Sequence, residues 1–305
     1  MSAKSKKIAV LLGGLSKERE VSLRSGAAVA KALKARGHDV VEIDVGRDLP
    51  EKLKASGAAV AFLALHGRYG EDGAVQGLLE VMGIPYTGAG PLASAVCMDK
   101  VLAKKVLVSE MGASILTPKW QVVKRGDVGA IHELPLPLVV KPNREGSTIG
   151  ISIVREEKDF KAALEEALKL DETVLIEEFI EGIETTVSVL NGRALPVIEI
   201  VPKSGFYDFT SKYTKGMTDY IVPARIPDGV RDRLQKTSEA AWKVLGLAGF
   251  ARLDFILRKD AAYFLEANTI PGMTETSLVP KAAAAAGLSF EDLCEDVLKG
   301  AALKI

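Results

Sequence analysis

The first ninety residues alternate apolar and amphipathic segments, and this alternation is the feature that most restricts the fold. Apolar runs at 8–12 and 60–65 are short and continuous, 40–45 is a third strand pattern rich in Val and Ile, and a helical pattern at about 20–36 lies between the first and second strands. Continuous apolar strands joined by helices are typical of a parallel sheet covered on both faces. Ligands collect at the C-terminal ends of such strands. We therefore predict a βαβ domain over 1–90, with a ligand site near Gly13-Gly14 and His66-Gly67.

The pattern changes near Pro91 and again after Gly182, which predicts two further lobes, 91–182 and 183–305. A helix is expected after Pro91, with Met98, Val101, Leu102 and Val106 on its apolar side and Asp99, Lys100, Lys104 and Lys105 elsewhere. The remaining predicted elements of the second lobe are strands at 138–141, 151–154 and 174–180 and a helix at 156–170. In the third lobe, Asn191-Gly192 is a strong signal for a type I′ hairpin. Its predicted strands are 185–190, 194–201, 250–257 and 263–267, with a helix at about 229–245 and another that ends at Gly287.

Composition excludes several classes of protein. The 305 residues carry 40 basic and 40 acidic side chains, so no bulk charge favours nucleic acid or an anionic membrane. The basic N-terminus precedes an apolar run of only five residues, which is too short for a signal peptide or a membrane span. Cys97 and Cys294 lie far apart without metal-type spacing, which favours reduced thiols. We expect a cytoplasmic protein with no nucleic-acid or membrane partner.

The segment 252–268 predicts a hairpin with one polar and one apolar face. If residues 259–261 form a three-residue loop, Asp254 lies opposite Glu266 and Arg252 opposite Asn268. The same register places these residues on the apolar face: Leu253, Phe255, Leu257, Tyr263, Leu265 and Ala267. Two facing carboxylates repel unless a cation lies between them, and Mg²⁺ prefers such oxygen ligands. The alternative is a solvated face with an incidental Arg–Asp pair.

Two other segments are candidates for nucleotide binding. Lys141 ends an apolar strand and precedes a loop rich in Gly, Ser and Thr at 145–150. Backbone N–H groups of such a loop can surround phosphates while the lysine supplies a charge. The segment 175–184 offers strand-end backbone groups for an adenine edge and Glu184 for ribose hydroxyls. A hairpin turn and a solvated acidic surface are the respective alternatives.

The order of short motifs along the chain resembles the D-alanine:D-alanine ligases nearly from end to end. The motifs are GGLSKEREVS at 13–22, HG at 66–67, GEDG at 70–73, PYTG at 85–88, MDK at 98–100, KP at 141–142, EGS at 145–147, FYD at 206–208, KY at 212–213, RLD at 252–254, EAN at 266–268 and PGMT followed by SL within 271–278. The resemblance implies a Rossmann-like N-terminal lobe followed by a two-lobe ATP-grasp fold, in an α/β and α+β architecture.

The resemblance also implies a reaction and its binding groups. ATP activates one D-alanine as an acyl phosphate, and the amine of a second D-alanine displaces phosphate to give D-alanyl-D-alanine, a precursor of peptidoglycan. Two Mg²⁺ ions are expected, replaceable by Mn²⁺. The implied metal ligands are Asp254, Glu266 and Asn268. The implied ATP-binding residues are Lys100, Lys141, Glu177, Glu178, Phe179, Ile180, Glu184, Phe206, Lys212 and Asn268. A homodimer through the first lobe is also implied.

The two substrate positions draw on residues from distant parts of the chain. The resemblance implies that Glu18 binds the first D-alanine, that Ser147 and Tyr213 form a hydrogen-bond network with Glu18, and that Ser277 and Leu278 receive the second D-alanine. The resemblance also implies that Arg252 and the backbone N–H of Gly272 stabilise the tetrahedral oxyanion. His66 orients a substrate or accepts a proton; an ordinary strand-end histidine is the alternative.

Two further expectations concern closure and product. The segment 203–218 predicts a long active-site loop that excludes water when it closes. Tyr213 within it indicates a dipeptide product, because relatives that make D-alanyl-D-lactate carry another residue there. A D-alanine:D-lactate ligase, or another carboxylate–amine ligase of this class, is the nearest alternative. An NAD-dependent oxidoreductase is a remote one, because no G-x-G-x-x-G follows the first strand.

Overall fold

A computed structural model describes residues 6–127, 131–203, 214 and 216–305. The predicted parallel unit is confirmed. Strands β1 (Ile8–Leu12), β2 (Val40–Asp44) and β3 (Val60–Leu63) form a parallel sheet in the order β2-β1-β3. Helices α1 (Arg19–Ala35), α2 (Leu49–Ser56) and α3 (Ala74–Met82) accompany it. All five residues of β1 are buried, as a central parallel strand requires.

The second sheet is antiparallel and has the order β4-β7-β5-β6. Its strands are β4 (Trp120–Lys124), β5 (Leu138–Pro142), β6 (Ser152–Val154) and β7 (Thr173–Glu178). Helix α6 (Glu157–Leu170) covers one face, because its buried residues recur at helical spacing: Phe160, Ala163, Leu164 and Ala167. The opposite face lies toward the third sheet.

The third sheet has the order β11-β10-β8-β12-β13, with β9 paired to β8. Its strands are β8 (Ile183–Leu190), β9 (Arg193–Ala194), β10 (Ile198–Pro202), β11 (Thr218–Ile221), β12 (Phe250–Arg258) and β13 (Ala261–Asn268), and helix α7 (Asp228–Val244) packs against it. Asn191 and Gly192 both have positive φ between β8 and β9, which confirms the predicted hairpin turn. The single strand predicted at 194–201 was wrong, since β9 and β10 are separate.

Two helices follow Pro91 rather than one. Helix α4 (Pro91–Met98) ends before Asp99, whose carboxylate accepts a 2.9 Å hydrogen bond from the Leu102 backbone N–H and caps α5 (Lys100–Met111). The predicted faces were partly wrong: Leu102 is 42% exposed, whereas Lys104 is fully buried. The reason is tertiary, because α5 packs against β13 and α7 and turns Lys104 toward buried acidic and carbonyl groups.

The last two helices pack against the first domain of the chain. Residues of α8 (Leu278–Ala285) and α9 (Phe290–Lys299) share one apolar core with β1 and β3. After α1, Arg36 forms an ion pair with Asp292 of α9, and the His38 ring is hydrogen-bonded to Glu295 of the same helix. This packing carries the segment 271–278 to the C-terminal ends of the parallel strands. Within the described residues, no helix is both long and apolar enough to span a membrane.

The β12–β13 hairpin confirms the predicted polar pairs and corrects the apolar face. Arg252 lies opposite Asn268, and Asp254 opposite Glu266. The turn has two residues, Lys259 and Asp260, and a bulge follows Asp254, so that Phe255 pairs with Phe264. Phe264 is therefore the buried residue, and the predicted placement of Tyr263 and Leu265 on the apolar face was wrong. A bulge changes the alternation of faces along one strand only.

Candidate active site

Two clefts meet at the β12–β13 hairpin. The first contains seven of the residues implied for substrate binding and catalysis: Glu18, His66, Ser147, Arg252, Gly272, Ser277 and Leu278. The second lies between the two antiparallel sheets and contains these residues implied for ATP or metal: Lys141, Glu177, Glu178, Phe179, Ile180, Glu184, Asp254 and Glu266. Glu266 lines both clefts. A group held in one cleft can therefore react with a group held in the other.

The carboxylate of Glu18 lies against the glycine-containing loop of the second lobe. Glu18 immediately precedes α1, and its Oε1 accepts a hydrogen bond from the Ser147 hydroxyl. A side chain at Gly146 would place its Cβ only 3.0 Å from Glu18 Oε2. The predicted contact between Glu18 and Ser147 is thus confirmed, and glycine at 146 is what allows the backbone to approach this closely.

His66 and Glu71 are enclosed by charged groups beneath the first cleft. Burial lowers the pKa of His66, although the nearby Glu18 carboxylate opposes that shift. His66 Nε2 lies 3.4 Å from the Ser25 hydroxyl, which accepts a bond from the Met273 N–H. Burial and the Glu18 charge raise the pKa of Glu71 to about 8. Both shifts favour the uncharged form of the group.

Arg252 and Asp254 form a fixed ion pair at the edge of both clefts. Arg252 donates from Nε to Asp254 Oδ1 at 2.9 Å and from a terminal nitrogen to Oδ2 at 2.8 Å. Asp254 also accepts bonds from the Thr186 hydroxyl at 2.6 Å and from Asn268 Nδ2 at 3.1 Å. A carboxylate offers about four acceptor positions. Asp254 can therefore bind a cation only by exchanging one of these four donors.

Glu266 brings a second carboxylate to the same polar face. The Lys100 ammonium lies 3.3 Å from Glu266 Oε2 and donates to the Glu145 carbonyl at 2.7 Å. With Asp254 and Asn268, Glu266 supplies an all-oxygen donor set, which fits Mg²⁺ shared with phosphate oxygens and water. The described residues contain no group of three or more His, Cys, Asp or Glu that could hold a metal ion.

Lys141 and Glu177 form a buried ion pair at the floor of the second cleft. Lys141 Nζ lies 2.5 Å from Glu177 Oε2, and Lys104 Nζ lies 2.7 Å from Oε1. Burial opposes ionisation of Glu177, but the two ammonium groups outweigh it and hold the pKa of this carboxyl below its usual value. Glu177 therefore pairs with two lysines in the structure. The contact between Glu177 and adenine that the resemblance implies stays a prediction.

Gly272 and Ser277 are adjacent in the segment that joins β13 to α8. The Ser277 hydroxyl accepts a 3.0 Å bond from the Thr274 N–H, and a Cβ on Gly272 would lie 2.7 Å from the same oxygen. Ser277 precedes the first turn of α8, where the helix dipole favours negative charge. This arrangement suits a substrate carboxylate or a developing oxyanion.

Several residues of the clefts were missed by the sequence analysis as functional candidates. Glu71, Thr274 and Arg155 line the clefts, and Lys104 is buried beside the second cleft without lining it. Arg155 lies over the Phe179 ring at 5.4 Å in the nucleotide cleft. Glu71 belongs to the GEDG motif after His66-Gly67, so its position carried a signal. No local signal distinguishes Lys104 from its neighbour Lys105. The implied roles of Phe206, Lys212 and Tyr213 concern residues outside those that the structure describes.

Comparison with known proteins agrees with this geometry. Family models described as "D-ala D-ala ligase C-terminus" and "D-ala D-ala ligase N-terminus" match residues 111–299 and 48–89. The D-alanine–D-alanine ligase of Syntrophotalea carbinolica is 54% identical over 98% of this chain and 97% of its own length. That of Geotalea uraniireducens is 52% identical over 99% of this chain and 97% of its own length.

Solved structures give the same result. The D-alanine–D-alanine ligase of Bacillus anthracis superimposes with a TM-score of 0.86 and 37% identity, and the form of that protein complexed with ATP gives 0.85 and 36%. Each comparison covers 97% of both chains. The predicted ATP-grasp architecture is confirmed by these neighbours. With identity above one half over nearly its whole length, this chain belongs to the D-alanine–D-alanine ligase family.

Proposed function

We propose that this protein joins two D-alanine molecules into D-alanyl-D-alanine, with ATP converted to ADP and phosphate. The observation that carries the proposal is the junction of the two clefts at Glu266. A carboxylate in the first cleft can reach a terminal phosphate in the second only if the clefts meet. The relatives' names and the ATP complex of the Bacillus anthracis structure support the same substrates.

In the first step, an oxygen of one D-alanine carboxylate attacks the γ-phosphorus, and the bond from that phosphorus to the bridging oxygen of ADP breaks. Glu18, fixed by Ser147, would bind the ammonium group of this D-alanine. Lys141 and Lys100 would bind phosphate oxygens, together with Lys212. Asp254, Glu266 and Asn268 would hold Mg²⁺, or Mn²⁺ in its place, which when bound neutralises phosphate charge.

In the second step, the amine of another D-alanine attacks the acyl carbon, and the carbon–oxygen bond to phosphate breaks after a tetrahedral intermediate. Arg252 is positioned for the oxyanion because its guanidinium is fixed by Asp254 and cannot lose its charge. The Gly272 N–H would donate to the same oxygen, and Ser277 with Leu278 would orient the second substrate. His66, which lines the same cleft, would orient a substrate or accept the amine proton.

The adenosine part of ATP would occupy the strand-end segment after β7. We propose that Glu177, Glu178, Phe179 and Ile180 surround adenine with Phe206, and that Glu184 binds the ribose. Phe179 and Ile180 line one side of this cleft, and Ile256 and Leu265 line the other. These apolar side chains support the placement of the adenine ring between the two sheets.

The test is ADP release measured with Mg²⁺ and ATP, with and without D-alanine. We expect turnover that depends on D-alanine and yields the dipeptide. ATP turnover indifferent to D-alanine would refute the proposal. Comparison of D-alanine, D-lactate and L-alanine as second substrate separates this function from a D-alanine:D-lactate ligase, and the absence of NAD binding by fluorescence would dismiss an oxidoreductase.

We further propose a homodimer through the first lobe, a cytoplasmic location, and a product used for peptidoglycan. The division 1–90, 91–182 and 183–305 is also a proposal. The proposed dimer rests on the resemblance of the chain to its family, which extends over nearly its whole length. Sedimentation of the purified protein tests the dimer, and a monomer at assay concentration would contradict it.

A further inference from the structure

Lys104 is a buried cation that the reaction scheme does not use. It projects from α5, is fully buried, and donates a 3.1 Å hydrogen bond to the Phe264 carbonyl of β13. Its ammonium lies 5.8 Å from the Phe264 ring centroid and 2.7 Å from Glu177 Oε1. An ammonium is costly to bury unless it is paired and hydrogen-bonded. A buried ammonium beside the nucleotide cleft therefore suggests a role in nucleotide binding.

Charge balance around Glu177 indicates that role. One carboxylate faces two ammonium groups, because Lys104 pairs with Oε1 and Lys141 with Oε2. The adjoining pair of Lys100 and Glu266 is balanced. Among the described residues, these three ion pairs therefore join three ammonium groups and two carboxylates, which leaves one positive charge. Without Lys104, Glu177 would neutralise Lys141 completely.

We propose that Lys104 is a positioning residue for ATP. Its ammonium occupies one oxygen of Glu177 and so leaves net positive charge at Lys141 for the phosphates. The inference rests on the proposed function, since it assumes that Lys141 binds phosphate. Lys104 has no access to the cleft and acts through Glu177. Because the local dielectric is low in the buried cluster, one uncompensated charge exerts a strong field on phosphate oxygens nearby.

A purely mechanical role of Lys104 and an electrostatic role predict different ligand affinities. A residue that only fills space would affect every ligand of the nucleotide cleft equally. A residue that supplies charge would affect ligands in proportion to their phosphate charge. Adenosine and ATP share the base and ribose and differ in the phosphates, so the ratio of their affinities isolates the electrostatic contribution.

The experiment measures the Kd of ATP and of adenosine for the full-length wild type, Lys104→Met and Lys104→Gln. Lys105→Met is the matched control, because Lys105 is the next residue of α5 and is exposed. We expect ATP to bind at least about ten-fold more weakly to both Lys104 variants, as loss of a nearby unit charge in a partly buried site implies. Adenosine affinity, and both affinities of Lys105→Met, should be unchanged.

A compensating variant tests the charge balance directly. Lys104→Met combined with Glu177→Gln removes one charge of each sign and restores the net positive charge. The ratio of ATP to adenosine affinity should recover relative to Lys104→Met alone. Using the ratio removes any separate effect of Glu177 on adenine. A merely structural role for Lys104 gives no reason for such recovery.

Several outcomes would overturn the proposal. Unchanged ATP affinity in the Lys104 variants would do so, as would an equal loss for adenosine and ATP. Failure of both single variants to fold would also count against it, because the balanced Lys141–Glu177 pair that remains should be stable. If the wild type binds ATP and turns over D-alanine while the Lys104 variants behave normally, this inference fails and the proposed function stands. If the wild type does not bind ATP, both fail.

Discussion

The guanidinium group of Arg252 and the carboxylate of Asp254 form two hydrogen bonds along one strand, at 2.9 and 2.8 Å. Residues two apart on a strand point to the same face, so the pair needs no help from another element to form. It lies where the substrate cleft and the nucleotide cleft meet. One bidentate contact thus fixes both the proposed oxyanion donor and a proposed metal ligand.

Replacement of Arg252 by alanine should reduce kcat by about 10²–10³, as loss of a charge-stabilising donor does in other enzymes. Arg252→Lys should recover only part of this, because an ammonium cannot form the planar two-point contact. Arg233→Ala, at an exposed position of α7, is the control and should have normal turnover. A folded Arg252→Ala protein with wild-type turnover would contradict the assignment.

Removal of divalent metal with EDTA should abolish dipeptide formation, and Mg²⁺ or Mn²⁺ should restore it, because two carboxylates face each other across β12 and β13. Glu266→Gln should raise the Mg²⁺ concentration needed for half-maximal turnover. Glu165→Gln, on an exposed turn of α6, should leave it unchanged. Undiminished turnover in EDTA would show that this face holds no required metal.

Stability should depend on pH through Glu71. The pKa of this carboxyl is raised from 4.5 to about 8 in the folded protein. A group whose pKa is higher when folded stabilises the fold fully below its unfolded pKa and loses that contribution as pH rises through the folded value. Between about pH 4.5 and 8, the free energy of unfolding should therefore fall with rising pH, by at most about 1.4 kcal/mol per unit from this group.

Glu71→Gln should remove that part of the slope, because a carboxamide does not titrate and its oxygen can still accept the bond from the Gly67 N–H, which is 2.6 Å in the wild type. Urea denaturation of ligand-free protein at several pH values measures the difference. The Glu165→Gln protein supplies the matched comparison. Parallel pH profiles of wild type and Glu71→Gln would argue against a raised pKa at Glu71.

The bulge in β13 predicts which aromatic residue supports the hairpin. Phe264 is fully buried and meets Phe255 edge to face at 5.8 Å, so Phe264→Ala should cost about 3–5 kcal/mol in free energy of unfolding. Tyr263→Ala should cost about 1 kcal/mol, because Tyr263 is partly exposed and its main polar contact is Arg258. Thermal unfolding of the two variants compares them, and a reversed order would mean that the hairpin lacks the bulge.

Sequence alone was sufficient for the family and the order of the sheets, and many of the site residues that it named line the two clefts. The family and the sheets follow from local patterns and from the order of short motifs. The local patterns are the continuous apolar runs of β1 and β3 and the Asn191-Gly192 pair, whose positive φ angles the structure shows. Tertiary structure decided what depends on contacts between distant segments. Alternation could not reveal the bulge at Leu265, because one extra residue in a strand leaves no periodic trace.

Lys104 shows the limit most clearly. Lys104 and Lys105 are the same residue type at neighbouring positions of α5, and both were predicted to lie away from the apolar side of the helix. Only the packing of α5 against β13 brings the Lys104 ammonium to Glu177 and the Phe264 carbonyl, while Lys105 stays exposed. The burial of a charge is decided by whether the fold supplies its partners, and those partners lie 73 and 160 residues away along the chain.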